Sequence, residues 1–245
     1  MTETTRAADL DRLYDLFDEL AARVGGPRRL ADCHGRMDWP DRGVYFFFAP
    51  GETRASSGQR RLTRVGTHAV TEGSKTTLWD RLKQHYGTGD GSSAHPHGGN
   101  HRGSVYRLRV GEALVEHHGL ADAYPDWGTS RIPADRPRAA VRDEEYPMER
   151  WVSSYLRHQP FLWVGVSDAP SSTSDRARIE RNVIALASNY GGPVADARST
   201  DWLGRHSPNA EIRAGGLWNV EHADESHDPS ALDTFAEYVA DAEPL

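Results

Sequence analysis

The chain has 245 residues, a formal charge of −7 and a pI near 5.9, so it can bury a sizeable apolar interior but is too acidic to coat nucleic acid uniformly. Any polyanion site must be a local patch. A single cysteine, Cys33, rules out an intramolecular disulfide and any multi-cysteine zinc site, and no stretch approaches ~20 consecutive apolar residues, which predicts a soluble, cytoplasmic protein with no membrane partner.

Residues 5–24 carry Leu10, Leu13, Leu16, Phe17 and Leu20 at helical spacing, and Gly25-Gly26-Pro27 ends the pattern. Such a stripe packs more readily on the chain's own core than on a partner. Trp39-Pro40 delivers the chain in extended form into residues 43–48, an unbroken apolar and aromatic run that stops at Pro50-Gly51. A second strand is predicted over 62–68. Side chains alternate along a strand, so Gly43, Tyr45 and Phe47 share one face and Arg64, Gly66 and His68 another, which sets a phenol opposite a guanidinium. Residues 76–85 read as a helix with Thr76 as N-cap and Leu78 and Leu82 inward. Arg81 and His85, four apart, point the same way.

Residues 87–103 collapse to Gly, Ser, His and Asn, the composition of a flexible loop. Gly87, Gly89 and Gly91 lack the spacing of a dinucleotide fingerprint. His95, His97 and His101 invite a metal, but no acidic or thiol partner stands at a recognised spacing. The preferred reading is an anion-facing loop with Asn100, His101 and Arg102 as donors, leading into a strand over 105–110 that puts Arg107 and Arg109 on one face. Solvated arginines on an edge strand are the plain alternative. Arg60 and Arg61 extend the basic character of the hairpin. Among the 29 basic residues only Lys75 and Lys83 are lysines, and a guanidinium can clamp phosphate with two parallel hydrogen bonds. GC-rich codon usage would produce the same excess of arginine.

Residues 121–141 are rich in Pro, Asp and Arg and read as a loop, 148–158 as a helix and 161–166 as a buried strand. Ser171 to Ser174 supply caps for a helix that buries Ile179, Val183, Leu186 and Ala187 and leaves Glu180 at the margin of the stripe. A half-desolvated carboxylate needs a partner: Arg176 or Arg181 on the structural reading, a hard divalent cation on the functional one. Residues 192–245 hold Trp202, Trp218 and an amphipathic helix near 228–241 with Leu232, Phe235 and Val239 inward.

The order Gly43-Val44-Tyr45, then Arg64-Val65-Gly66, then a helix bearing Arg81 and His85 resembles the GIY-YIG nuclease family, whose two signature tripeptides lie on adjacent strands. Glu180 followed by Asn189 resembles the family's later helix. The resemblance implies an α/β (α+β) fold: a small, mostly antiparallel central sheet flanked by helices. It divides the chain into a nuclease core over 43–190, an N-terminal helical extension over 1–42 and a C-terminal extension over 191–245.

For function the resemblance implies a metal-dependent endonuclease acting on DNA, in the first place double-stranded, in a restriction, defence or repair setting. Glu180 would hold Mg²⁺ (or Mn²⁺), Tyr45 would take a proton from water, Arg81 would bind the scissile phosphate, His85 would orient water or phosphate, and Asn189 would position elements of the site. A phenol ionises near ~10, so a base at Tyr45 needs a cation beside it, which Arg64 could supply. Arg64 itself stands where the second motif normally has tyrosine. That departure leaves open a catalytically inactive nucleic-acid-binding or protein-interaction module on the same scaffold, and pairing into a homodimer stays open as well. Phosphate contacts by Asn100, His101, Arg102, Arg107, Arg109, Arg60 and Arg61 rest on local chemistry alone.

Overall fold

The computed structural model describes residues 3–91, 94–129 and 131–245, with side chains from residue 5. Positions 92, 93 and 130, inside the two expected loops, lie outside the described residues. Seven helices and four strands are present among the described residues: α1 (Glu3–Val24), β1 (Arg28–Arg29), β2 (Gly43–Thr53), β3 (Arg60–Gly66), α2 (Leu78–Tyr86), α3 (Val105–His118), α4 (Arg138–Arg157), β4 (Pro160–Gly165), α5 (Asp175–Ala187), α6 (Ala210–Gly215) and α7 (Ser230–Ala240). The strands form one antiparallel sheet in the order β1-β4-β2-β3. The α+β class read from the sequence is the class observed.

β2 is apolar without alternation because both of its faces are covered. On one face Phe46 and Phe48 meet Phe17 of α1 at ring-centroid distances of 4.9 and 5.5 Å, and Phe46 lies 5.2 Å from Phe235 of α7. On the other face Tyr45 lies 5.4 Å from His85 of α2, and Phe47 lies 5.4 Å from Tyr106 of α3. Each fully buried phenylalanine of this kind contributes about 1.5–3 kcal/mol. α5 closes the first face, with Ile179, Val183 and Leu186 buried as their spacing predicts.

β3 is one of the two edge strands, and residues 216–219 cover its free side. Trp218 N–H donates to the Thr63 carbonyl (2.7 Å). The Asn219 side chain accepts from Val65 N–H (3.1 Å) and donates to the Val65 carbonyl (3.0 Å), so one amide side chain does the work of the next strand's peptide.

Register explains the two signature glycines. Tyr45 pairs with Gly66 across β2 and β3 and with Trp163 across β2 and β4, while Gly43 pairs with Gly165. A Cβ on Gly66 would come within 2.2 Å of the Tyr45 hydroxyl oxygen, and one on Gly43 within 2.3 Å of the Val164 carbonyl oxygen. The phenol therefore lies over a glycine. It is Phe47, not Tyr45, that stands directly opposite Arg64, which corrects the expected phenol–guanidinium pair.

Other local expectations are corrected too. β2 continues past Pro50-Gly51 to Thr53, with its register shifted after Phe47. Thr77, not Thr76, caps α2: Thr77 Oγ1 accepts from Asp80 N–H and Asp80 accepts from Thr77 N–H, both at 3.1 Å. α4 begins at Arg138, inside the expected loop, and passes through Pro147.

The largest correction concerns residues 105–110, which are the start of helix α3 and not a strand. Ser104 caps that helix, and Tyr106, Val110, Ala113 and Leu114 form its buried stripe. Arg107 and Arg109 consequently part company. Arg107 is fully buried and donates through Nε (3.0 Å) and Nη2 (2.6 Å) to Glu149 Oε2 of α4. The other Glu149 oxygen accepts from the His101 backbone N–H (2.6 Å) and lies 2.9 Å from His101 Nδ1. Burial alone would raise the Glu149 carboxyl, but the His101 and Arg107 contacts outweigh it and hold the group at about 2. Arg102 makes a two-pronged contact with Glu145 (2.6 and 2.7 Å). The basic run after the glycine-rich loop is thus joined to acids of α4 more than forty positions away.

Candidate active site

The site is built where the start of β2, the end of β3, α2, α5 and the 216–222 segment converge. A cleft of about 330 Å³ is lined by Arg64, Arg81, Arg109, Glu180, Asn219 and His222, among others. Five of the six residues expected to form the catalytic site come together here. Tyr45 and His85 lie beneath it, and Arg64, Arg81 and Glu180 line it.

The Tyr45 hydroxyl is 2.8 Å from His85 Nε2, and His85 Nδ1 is 2.8 Å from Ser104 Oγ. Burial, and then the cations Arg81, Arg64 and Arg107, push the His85 ring well below the usual imidazole range, so it is neutral. Arg81, one helical turn before His85, sits beside the Tyr45 oxygen, which raises the guanidinium above its ordinary value. Its Nη1 donates to Gln84 Oε1 (2.8 Å). Arg64 donates from Nη1 to the Trp218 carbonyl (2.8 Å), and its guanidinium lies 5.6 Å from the Tyr106 ring centroid. The Nε atoms of Arg64 and Arg81 are buried without a protein partner, so both cations retain an unused donor.

Glu180 is half-buried and accepts from Thr67 N–H (3.1 Å), one residue beyond the glycine on which Tyr45 rests. Burial raises its carboxyl above the ordinary value, opposed by Arg64, Thr67 N–H, His222 and Arg81. The structural partners expected for it are engaged elsewhere: Arg176 binds Asp168 and Arg181 binds Glu225. Among the described residues no cation lies within the 4.0 Å ion-pair distance of Glu180.

Residues 4–245 match the profile of the GIY-YIG domain. The chain belongs to the GIY-YIG family. No curated protein and no solved structure matches it. A GIY-YIG domain marks a nuclease-type hydrolase in general terms, and Gly43-Val44-Tyr45 and Arg64-Val65-Gly66 occupy adjacent strands as the two tripeptides of that family do. No helix among the described residues is long and apolar enough to cross a membrane.

Of the remaining expected residues, Arg109 lines the cleft and is paired with Glu112 (2.9 Å). Asn100 caps the short turn His101–Gly103 by accepting from Arg102 N–H (3.3 Å). Arg61 is buried against Glu52 (2.7 Å), and Arg60 is exposed beside it at the far end of β3. Asn189 donates to the Asp196 carbonyl (2.8 Å) and accepts from Ala195 N–H (2.9 Å), closing a loop after α5. The asparagine that lines the cleft is Asn219.

Sequence reasoning missed Asn219, Ser104, Thr67 and His222. His222 has a left-handed backbone (φ 66), uncommon for a residue with a side chain, and pairs with Glu225 (2.9 Å). The available signal was the alternation of polar Asn219 and Glu221, then His222, after the apolar Leu217-Trp218.

The residues present fit a hard divalent cation. Among the described residues no three His, Cys, Asp or Glu side chains gather to hold a metal by themselves. A lone, under-compensated carboxylate facing a cleft suits Mg²⁺, which keeps several waters and takes one or two carboxylates plus substrate phosphate oxygens.

One pH effect follows from the strand end behind the site. His68 accepts from Gly43 N–H at Nε2 (3.3 Å), and its Nδ1 lies 2.8 Å from the Thr76 carbonyl. Burial lowers it to about 4, helped by Arg176, Arg81 and Arg42 and opposed by the Thr76 contact. In the unfolded chain the ring takes a proton below ~6.5, whereas in the folded chain it does so only near 4, so the unfolded state binds more protons in that window. Its contribution is whole above ~6.5 and declines as pH falls, by up to about 1.4 kcal/mol per pH unit. Urea unfolding at pH 7, 5.5 and 4.5 should show this loss, with a smaller slope in His68→Gln.

Proposed function

We propose that the chain is a metal-dependent endonuclease that hydrolyses DNA phosphodiester bonds, with duplex DNA as its first substrate, in a restriction, defence or repair setting. What carries the reading is the meeting of Tyr45, His85, Arg81, Arg64 and Glu180 around one cleft. In-line hydrolysis needs a base for the attacking water, fixed positive charge for the phosphate and relief of charge on the leaving oxygen. Tyr45 is the base. Arg81 and Arg64 line the cleft and supply fixed positive charge for the phosphate. Glu180 would hold Mg²⁺ or Mn²⁺, which supplies charge stabilisation at the leaving oxygen. Asn219 holds β3 in register so that Thr67 can orient Glu180.

Arg64 in the place of the second tyrosine motivates the other reading, a module that binds DNA without cutting it. One experiment separates the two. Wild type and Glu180→Gln, which preserves the shape of the side chain, are incubated with supercoiled plasmid in Mg²⁺, Mn²⁺ or EDTA. Nicking by wild type in metal, reduced at least ~100-fold in the variant, is expected. Equal cleavage by the variant, or cleavage that persists in EDTA, removes the metal assignment. Salt-dependent binding without turnover establishes the binding module.

A further inference from the structure

The hydrogen-bond chain beneath the cleft has a direction. Resting on the nuclease reading, we infer that Ser104 is a positioning residue that fixes His85 as its Nε2–H tautomer, so that the imidazole donates to the Tyr45 oxygen.

The direction follows from a count of protons. Ser104 is buried, with its hydroxyl oxygen accepting from Arg107 N–H (3.3 Å) as the N-cap of α3. A hydroxyl has one proton to give, and the ring nitrogen at 2.8 Å, His85 Nδ1, is the acceptor beside it. A neutral imidazole carries one N–H, so an accepting Nδ1 puts that hydrogen on Nε2, 2.8 Å from the Tyr45 hydroxyl. The chain then runs from Arg107 N–H to Ser104 Oγ, from Ser104 O–H to His85 Nδ1, and from His85 Nε2–H to Tyr45 Oη.

In the opposite tautomer Ser104 would accept twice, and its own proton would be sealed under the start of α3 with no acceptor. A buried donor left unmatched in this way costs about 1–3 kcal/mol. In the assigned direction the Tyr45 oxygen, which as the base of the nuclease reading carries no proton to strand, accepts from the ring; it lies over Gly66, next to the Thr67 N–H that binds Glu180 and beside the cleft-lining Arg81. The ring thus holds the phenol oxygen from behind, opposite the cleft-lining Arg81. A guanidinium offers only donors, so Arg81 adds a second donor to the same oxygen.

Ser104 lies between Arg102, joined to Glu145, and Arg107, joined to Glu149, and those pairs anchor it. Arg107 also donates from Nη1 to the His85 carbonyl (2.9 Å), which holds the end of α2 at the right height for the Ser104 contact.

The test reads the ring directly. Long-range ¹H–¹⁵N spectra of the histidine rings are recorded on substrate-free wild type, Ser104→Gly and Ser104→Thr, with the His85 signals identified by their loss in His85→Gln. Glycine keeps most of the N-cap's worth but has no hydroxyl, whereas threonine keeps both. The Nε2–H form is expected in wild type and Ser104→Thr, and the Nδ1–H form or a mixture in Ser104→Gly. Plasmid cleavage should fall roughly 10–100-fold in Ser104→Gly and recover in Ser104→Thr, with DNA affinity unchanged. An Nδ1–H ring in wild type, or an Nε2–H ring that persists in Ser104→Gly, overturns the inference. Because the spectra need no substrate, they decide the tautomer even where absence of cleavage in wild type has already refuted the nuclease reading.

Discussion

Glu149→Ala should lose about 3–5 kcal/mol of stability, the cost of stranding a buried guanidinium. In the native chain the Glu149 carboxylate receives two bonds from Arg107 and one from the His101 backbone, all between 2.6 and 3.0 Å, at a residue that is 2% exposed. Alanine removes every one of these acceptors. Arg107 keeps only the His85 and Glu149 carbonyls and the Ser153 hydroxyl. For a chain of this size the loss corresponds to a fall in melting temperature of roughly 6–20 °C. Urea and thermal unfolding of the variant measure it, and a loss under ~1 kcal/mol would refute the role given to the pair. The double variant Arg107→Met/Glu149→Leu should be less destabilised than Glu149→Ala, because it removes both charges together. The pair also sets the height of α3 and the end of α2, so the cleft suffers with the fold.

That pair also marks where sequence and structure part. Arg107 and Arg109 read as phosphate donors because a sequence displays charge but not the partner of a charge, and Glu149 lies forty-two positions beyond Arg107. The misread strand has a related cause. Over six residues, Val105-Tyr106-Arg107-Leu108-Arg109-Val110 alternates convincingly, and the helical spacing appears only once Ala113 and Leu114 are included. Ser104 was the local clue, an N-cap standing directly before the run.

The hairpin and the Arg81/His85 face were legible because each depends on neighbours in sequence: an apolar run ended by turn residues, and a spacing of four on one helix. Glu180 was legible as a carboxylate at the margin of a stripe. Asn219 was not, since it stands 154 positions beyond the Val65 that it binds. Asn189, taken as the match to the family's late asparagine, closes the loop after α5 with its side chain.

Tyr45→Phe isolates the chemistry from the packing. The ring stays over Gly66 and against Phe47, whose centroid is 5.7 Å away, so only the hydroxyl, with its bond to His85 and its contact with Arg81, is removed. That bond contributes about 1 kcal/mol, and the unpaired His85 nitrogen adds a desolvation cost of about 1–3 kcal/mol. The protein should therefore fold with a modest loss of stability. Cleavage, in contrast, should fall by about 10²–10⁴, the usual worth of a general base. If the phenol acts only in the transition state, the fall lies in kcat, with KM and salt-dependent DNA binding close to wild type. Single-turnover cleavage of an oligonucleotide duplex in Mg²⁺, alongside binding isotherms at two salt concentrations, measures both. A rate within a few-fold of wild type would remove Tyr45 as the base and pass that role to a group reaching the cleft from elsewhere. Arg64 could not take it, since a guanidinium stays protonated at any working pH and can only donate. Glu180 would then be the acceptor left to consider, and it cannot be base and cation ligand through the same oxygen.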